Sequence, residues 1–181
     1  MSGSISKTPI GFLCILWGIG GVTMSLSQAV WRVSSIALEP FTDGTLTGVH
    51  WVFLVLWVIF MAYSEGYRGF QKKFSPRVVA RAIHIGRHPT FLKTLFAPFI
   101  CMGLGYATRK RLIISWCLVI GICGLVVAIQ SLSQPWRGLI DAGVVVGLCW
   151  GIISLLWISA KAIVGHSIDV DPEVPASALI N

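Results

Sequence analysis

No Asp or Glu stands near the middle of any long apolar stretch of this sequence, where a proton- or cation-coupled carrier keeps one. The seven acids are Glu39, Asp43, Glu65, Asp141, Asp169, Asp171 and Glu173. A small ion-driven exporter is therefore disfavoured. Charge of either sign is scarce: 12% of the 181 residues are charged and 55% are hydrophobic. That leaves too little polar surface to cover a water-soluble globule of this size. There is no phosphate-binding P-loop, no Ser-His-Asp order and no polar domain large enough to hold a nucleotide. The five cysteines (Cys14, Cys101, Cys117, Cys123, Cys149) form no CxxC pair, which argues against a zinc knuckle or a dithiol centre. Set in apolar runs, they read as small core hydrophobes. No internal repeat is visible, so an inverted-repeat transporter gets no support.

What the sequence does have is length in its apolar runs. A bilayer core of about 30 Å takes roughly 20 helical residues, because no backbone polar group goes unpaired in hydrocarbon. The uncharged stretches are 8–31, 44–64, 94–108, 112–136 and 142–160, of 24, 21, 15, 25 and 19 residues. Four are long enough and the third is not. The short one has Lys93 at its entrance, Pro98 near its middle and Gly103 and Gly105 near its end, all unfavourable to a continuous helix. The reading is an all-α integral membrane protein with four transmembrane helices, at about 10–31, 46–65, 112–133 and 141–161, and a re-entrant or interfacial segment at 91–107. Five spans is the alternative. Residues 1–166 form one transmembrane domain on this reading. Ser27-Gln28-Ala29 matches a signal-peptidase site, but the first stretch is long enough to span, and its retention as a membrane helix is expected.

The cations decide between four spans and five. With four spans and an inside N-terminus, twelve of the fourteen Lys/Arg stay inside, and only Arg32 and Arg137 face outward. A fifth span strands Arg109-Lys110-Arg111 outside, against the positive-inside bias. Four spans place both termini in the cytoplasm of a bacterial inner membrane. Trp31, Trp51 and Trp136 then fall at the outer interface and Trp116 and Trp157 at the inner one, leaving Trp17, Trp57 and Trp150 as packing residues at mid-depth.

Ser75-Pro76 opens and His88-Pro89 closes a cytoplasmic amphipathic helix at 76–88. Arg77, Arg81, His84 and His88 recur along one face and Val78, Val79, Ala82 and Ile83 fill the opposite one. This predicts a surface helix whose cations fix topology. With Lys72, Lys73, Arg87 and Lys93 they also make a candidate site for anionic lipid headgroups or an acidic partner. His84 and His88 lie four apart, with His166 returning to the same side, but no carboxylate or thiol joins them at ligand spacing, so no metal is expected. Neither a cofactor nor a nucleic-acid partner is expected.

Arg87-His88-Pro89-Thr90-Phe91, followed by an apolar run, resembles the Arg-His-Pro stretch of the isoprenylcysteine and phospholipid methyltransferases, membrane enzymes that use S-adenosylmethionine. The resemblance covers these few residues, and the Glu-Glu pair which that family carries farther on has no counterpart here. It implies, as an alternative function, a lipid- or isoprenoid-modifying enzyme with His84, Arg87 and His88 at its site.

In the last span Gly143, Gly147 and Gly151 form a GxxxGxxxG ridge where another helix can approach backbone to backbone, within the chain or between copies. On the first span Ser25, Gln28, Arg32, Ser35 and Glu39 share a polar face. Arg32 and Asp141 fall at similar outer depth and are expected to pair, with Arg137–Asp141 as the local alternative. The tail, 167–181, reads as a flexible acidic end, solvated by default although able to rest on the basic helix. The expectation is a small polytopic protein that works by interaction, as an assembly factor, accessory subunit or lipid-associated scaffold. A membrane enzyme and a small transporter or pore are the alternatives.

Overall fold

The computed structural model describes residues 9–44, 46–166, 168 and 170–174. Its elements are α1 (Pro9–Thr42), α2 (Gly48–Met61), a π-helical stretch (Ala62–Phe74), α3 (Ser75–Arg87), α4 (Phe91–Leu95), α5 (Ala97–Met102), α6 (Arg109–Gln130) and α7 (Trp136–Ile163). No strand occurs among the described residues. Four helices are long and apolar enough to cross a membrane: Pro9–Thr42, Gly48–Arg87, Arg109–Gln130 and Trp136–Ile163. The segment 91–107 contributes only helices of 5 and 6 residues, far short of a span, so the five-span alternative lacks its fifth helix.

Local chemistry sets the boundaries. Thr47 caps α2, its backbone N–H bonding His50 Nδ1 at 3.1 Å. Pro89 stops α3 after His88, and Gly103, at φ 79, ends α5 in a left-handed conformation that a Cβ disfavours. α1 runs eleven residues past the expected end at 31 because its polar face suits a helix. The Ser25 and Ser35 hydroxyls donate back to the carbonyls of Gly21 and Trp31.

Helices α1, α2–α3 and α7 pack on one another, with α5 tucked against α1 and α3. α2, the π stretch and α3 form one continuous 40-residue helix, roughly 60 Å long at about 1.5 Å per residue. The expected separate surface helix is therefore the second half of a long rod, and it is not superficial. Val78, Val79, Ala82 and Ile85 are buried in one cluster with Ile15, Ile19, Val22, Ala97, Ile100, Cys101, Leu155 and Ala162. The rod lies parallel to α7. Trp57 meets Gly143, Gly66 meets Trp150, Phe70 meets Gly151, and Ser75 bonds Ser154 at 2.9 Å. An α-helix repeats every 3.6 residues and would rotate off that line, whereas the wider π turn keeps one face of the rod on α7.

This register has two consequences. The glycine ridge is filled within the chain, by Trp57 and Met61 at Gly143, Glu65 at Gly147 and Phe70 at Gly151. The charged flank Glu65–Lys73 also stands beside the middle of α7, higher than a span ending at 65 placed it. Trp57 and Trp150 pack as expected, but Trp17 is 55% exposed and points outward. Cys14 and Cys101 are core residues, whereas Cys117 and Cys123 are exposed on α6. α6 makes only glancing contact with the other elements.

Candidate functional site

Along α3, Val78, Arg81, Ala82 and Ile85 follow the i, i+3, i+4, i+7 spacing of a core-facing stripe. The arginine goes in with its neighbours. Arg81 is 1% exposed, and a buried guanidinium is tolerated only when its donors and its charge are met. Both are. Arg81 Nη1 donates to the Cys101 carbonyl at 3.1 Å, Nε to the Pro172 carbonyl at 2.8 Å and Nη2 to Glu173 Oε2 at 3.2 Å. Gly103 makes the room, because a Cβ there would lie 2.8 Å from Arg81 Nη1 and 3.3 Å from Arg111 Nε.

The same carboxylate oxygen draws in two more cations. Arg77 Nε lies 3.8 Å and Arg111 Nε 3.5 Å from Glu173 Oε2, so arginines from α3 and from the start of α6 converge on one acceptor. Glu173 is held by its own backbone as well. Its carbonyl accepts the Thr108 N–H at 3.0 Å, its N–H donates to Asp171 Oδ1 at 2.8 Å, and Val174 beyond it is buried. Residues 170–174 of the acidic tail therefore rest on the basic helix, the alternative to the solvated state expected by default. A carboxylate satisfying a buried arginine outweighs solvation of those few residues. Of the rest of that tail, Ile168 packs against the core, while 167, 169 and 175–181 lie outside the described residues.

The six cations expected to face anionic lipid divide among three environments. Arg77 and Arg81 are turned onto Glu173. Lys72 lies over the Tyr67 ring at 5.3 Å and Lys93 over Tyr106 at 4.7 Å, while Lys73 and Arg87 are exposed. The His84 and His88 rings lie side by side, tilted by 53° with centroids 5.8 Å apart, and no group of three His, Cys, Asp or Glu side chains placed to hold a metal occurs among the described residues.

Arg32 and Asp141 do not meet; every ion pair among the described residues ends on Glu173. The register explains this. Pro40 of α1 packs on Gly138 of α7, so Arg32 sits about 12 Å down α1 from that contact and Asp141 only about 4.5 Å down α7. Asp141 is buried, whereas Arg32 is exposed and lines an open groove of about 320 Å³ with Met24, Ser27, Gln28 and Trp31. At that end a different contact joins α1 to the start of α7. Gln134 Nε2 donates to Glu39 Oε2 at 2.6 Å while its Oε1 accepts the Gly138 N–H at 3.1 Å.

Sequence reasoning missed Glu173 and Arg111 as members of the site. An acidic tail able to rest on the basic helix was the one signal for Glu173, and it did not single out residue 173 or residue 81; for Arg81 itself the signal was its place in the apolar stripe. Chemically the arrangement is an anion holder, because a guanidinium keeps its proton at neutral pH and offers a fixed fork of donors in place of acid–base chemistry. Comparison with protein families, with curated proteins and with solved structures finds no match to this chain.

Proposed function

We propose that this chain is a four-span integral membrane protein, with the N-terminal end of its first helix and the C-terminal end of its last helix on the cytoplasmic side, that works by interaction. It serves as an assembly factor, accessory subunit or lipid-associated scaffold. The observation that carries this reading is α6. It has the highest mean hydropathy of the four long helices, yet the other helices barely touch it. Ile113, Leu118, Ile120, Leu125 and Val127 are all more than half exposed, and Gly121 and Gly124 have no heavy atom within 4 Å of where a Cβ would stand. Such a helix belongs in hydrocarbon, and its small residues allow another helix to approach closely. With the α7 ridge already filled, α6 is where a second copy or another membrane protein docks.

The basic end supports a headgroup contact in the same reading. Phe91, Leu92, Leu95, Phe96 and Phe99 are exposed on α4 and α5 at the end that carries Arg87, Lys93, Arg109 and Lys110. Apolar side chains beside cations suit the boundary between acyl chains and anionic headgroups.

Cross-linking through the native Cys117 and Cys123 on α6, followed by mass spectrometry of what is captured and co-purified, tests the reading. A discrete adduct with a second copy or one membrane protein is expected. Absence of any protein adduct, together with stoichiometric recovery of a small-molecule cofactor, would overturn it in favour of an enzyme.

A further inference from the structure

We infer that Arg77, Arg81 and Arg111 form a phosphate-binding site in which the Glu173 carboxylate is the resident stand-in, displaced when a phosphate group arrives. The inference deepens the headgroup contact just proposed and rests on that reading for its lipid source. Three guanidinium groups lie 3.8, 3.2 and 3.5 Å from one carboxylate oxygen, so three positive charges face a single negative one. A phosphate offers more oxygens and, as a monoester, more charge, and arginine forks match its geometry.

Donor capacity is left over as well. Arg111 Nε is buried and has no hydrogen-bond partner, although it lies 3.5 Å from Glu173 Oε2. Arg111 belongs to the first turn of the 22-residue α6, whose N-terminal backbone N–H groups and dipole favour an anion. The stand-in, meanwhile, is built to leave. Glu173 has a φ of 53, in the left-handed region that a side chain disfavours, and its side chain keeps 30% exposure while Arg81 beneath it is sealed. Lifting residues 170–174 relieves that backbone, removes Asp171, which is bonded to the Glu173 N–H, and withdraws the Pro172 carbonyl, so the phosphate oxygens take over the Arg81 Nε–H as well. The exchange makes and breaks no covalent bond. One anion replaces another, and the tail is freed.

The test uses the full chain and two phosphate sources. In neutral detergent it is titrated with inorganic phosphate against chloride at equal ionic strength. In bilayer discs, phosphatidylcholine is compared with phosphatidylcholine containing phosphatidylglycerol. Hydrogen exchange is read on the peptide covering 170–174 and at Thr108, whose N–H bonds the Glu173 carbonyl. Faster exchange at both places with inorganic phosphate identifies a free phosphate ligand, and faster exchange only with phosphatidylglycerol identifies a headgroup. Glu173→Gln is expected to lower the half-saturating phosphate or phosphatidylglycerol concentration about tenfold, and Arg111→Gln to raise it about tenfold. Unchanged exchange in both arms, or affinity indifferent to both substitutions, would overturn the inference. Alkaline-carbonate extraction of the membranes from which the chain is purified separates the two ideas: a chain that is extracted yet binds phosphate refutes the membrane reading and leaves the site standing.

Discussion

Arg81 and Glu173 stand 92 residues apart in the chain and meet at 3.2 Å, one sealed in the core and the other reaching in from the tail. Their contact ties α3 to the segment that follows α7, and through Thr108 and Arg111 it reaches the start of α6. Three segments with separate roles in the sequence thus share one electrostatic centre. The remaining cations of the basic segment are left for the surface.

Removing either partner should cost unequal amounts. Arg81→Met strands the Cys101 and Pro172 carbonyls and leaves the Glu173 carboxylate to Arg77 and Arg111 alone, a loss of about 3 kcal/mol, which lowers the midpoint of thermal unfolding in detergent by roughly 6–12 °C. Glu173→Gln keeps an acceptor and acts at a partly exposed position, so its loss is about 1 kcal/mol. Unfolding curves of the two variants check the order, and equal effects would mean that the buried arginine is satisfied by its backbone carbonyls alone.

How far the site was legible follows from these two residues. Arg81 falls in step with Val78, Ala82 and Ile85, so its burial was readable from spacing, but its positive charge and the neighbouring Arg77, His84 and His88 argued for the surface instead. For Glu173 the signal was only that an acidic tail can rest on a basic helix; which acid meets which arginine across 92 residues depends on where α5, α6 and α7 end. The four long apolar helices were readable because hydrocarbon demands about 20 residues each. The fusion of 46–65 with 76–88 into one rod was not: the polar run between them looks like a break, and only packing on α7 shows that a π stretch carries the helix through. The Arg32–Asp141 pairing failed for a related reason, since equal predicted depth says nothing about register or facing.

The glycines of α7 and α6 should respond in opposite ways. A Cβ on Gly151 would lie 2.7 Å from Phe70, so Gly151→Ala is expected to overpack the contact and cost about 1–3 kcal/mol. Nothing lies within 4 Å at Gly121, so Gly121→Ala costs nothing and gains up to about 1 kcal/mol in helix propensity. Thermal unfolding of the two alanine variants, side by side, measures the contrast.

At the opposite end of the bundle, Trp57 Nε1 donates to the Ile140 carbonyl at 3.0 Å and packs on Gly143. Trp57→Phe keeps the aromatic body and removes that hydrogen bond, with an expected loss of about 1 kcal/mol. Gln134→Ala severs both of the glutamine's contacts, to Glu39 and to the Gly138 N–H, and is expected to cost a similar amount. If the bonds act independently, the losses in the double variant add to within about 0.5 kcal/mol.

Sidedness of the basic segment bears most directly on the whole account. A reporter inserted just after Arg111 and another just after Gln134 read the two ends of α6 in intact cells. The four-span arrangement predicts a cytoplasmic signal from the first and an external one from the second. An external signal after Arg111 would place the arginine cluster on the far side of the membrane and contradict it.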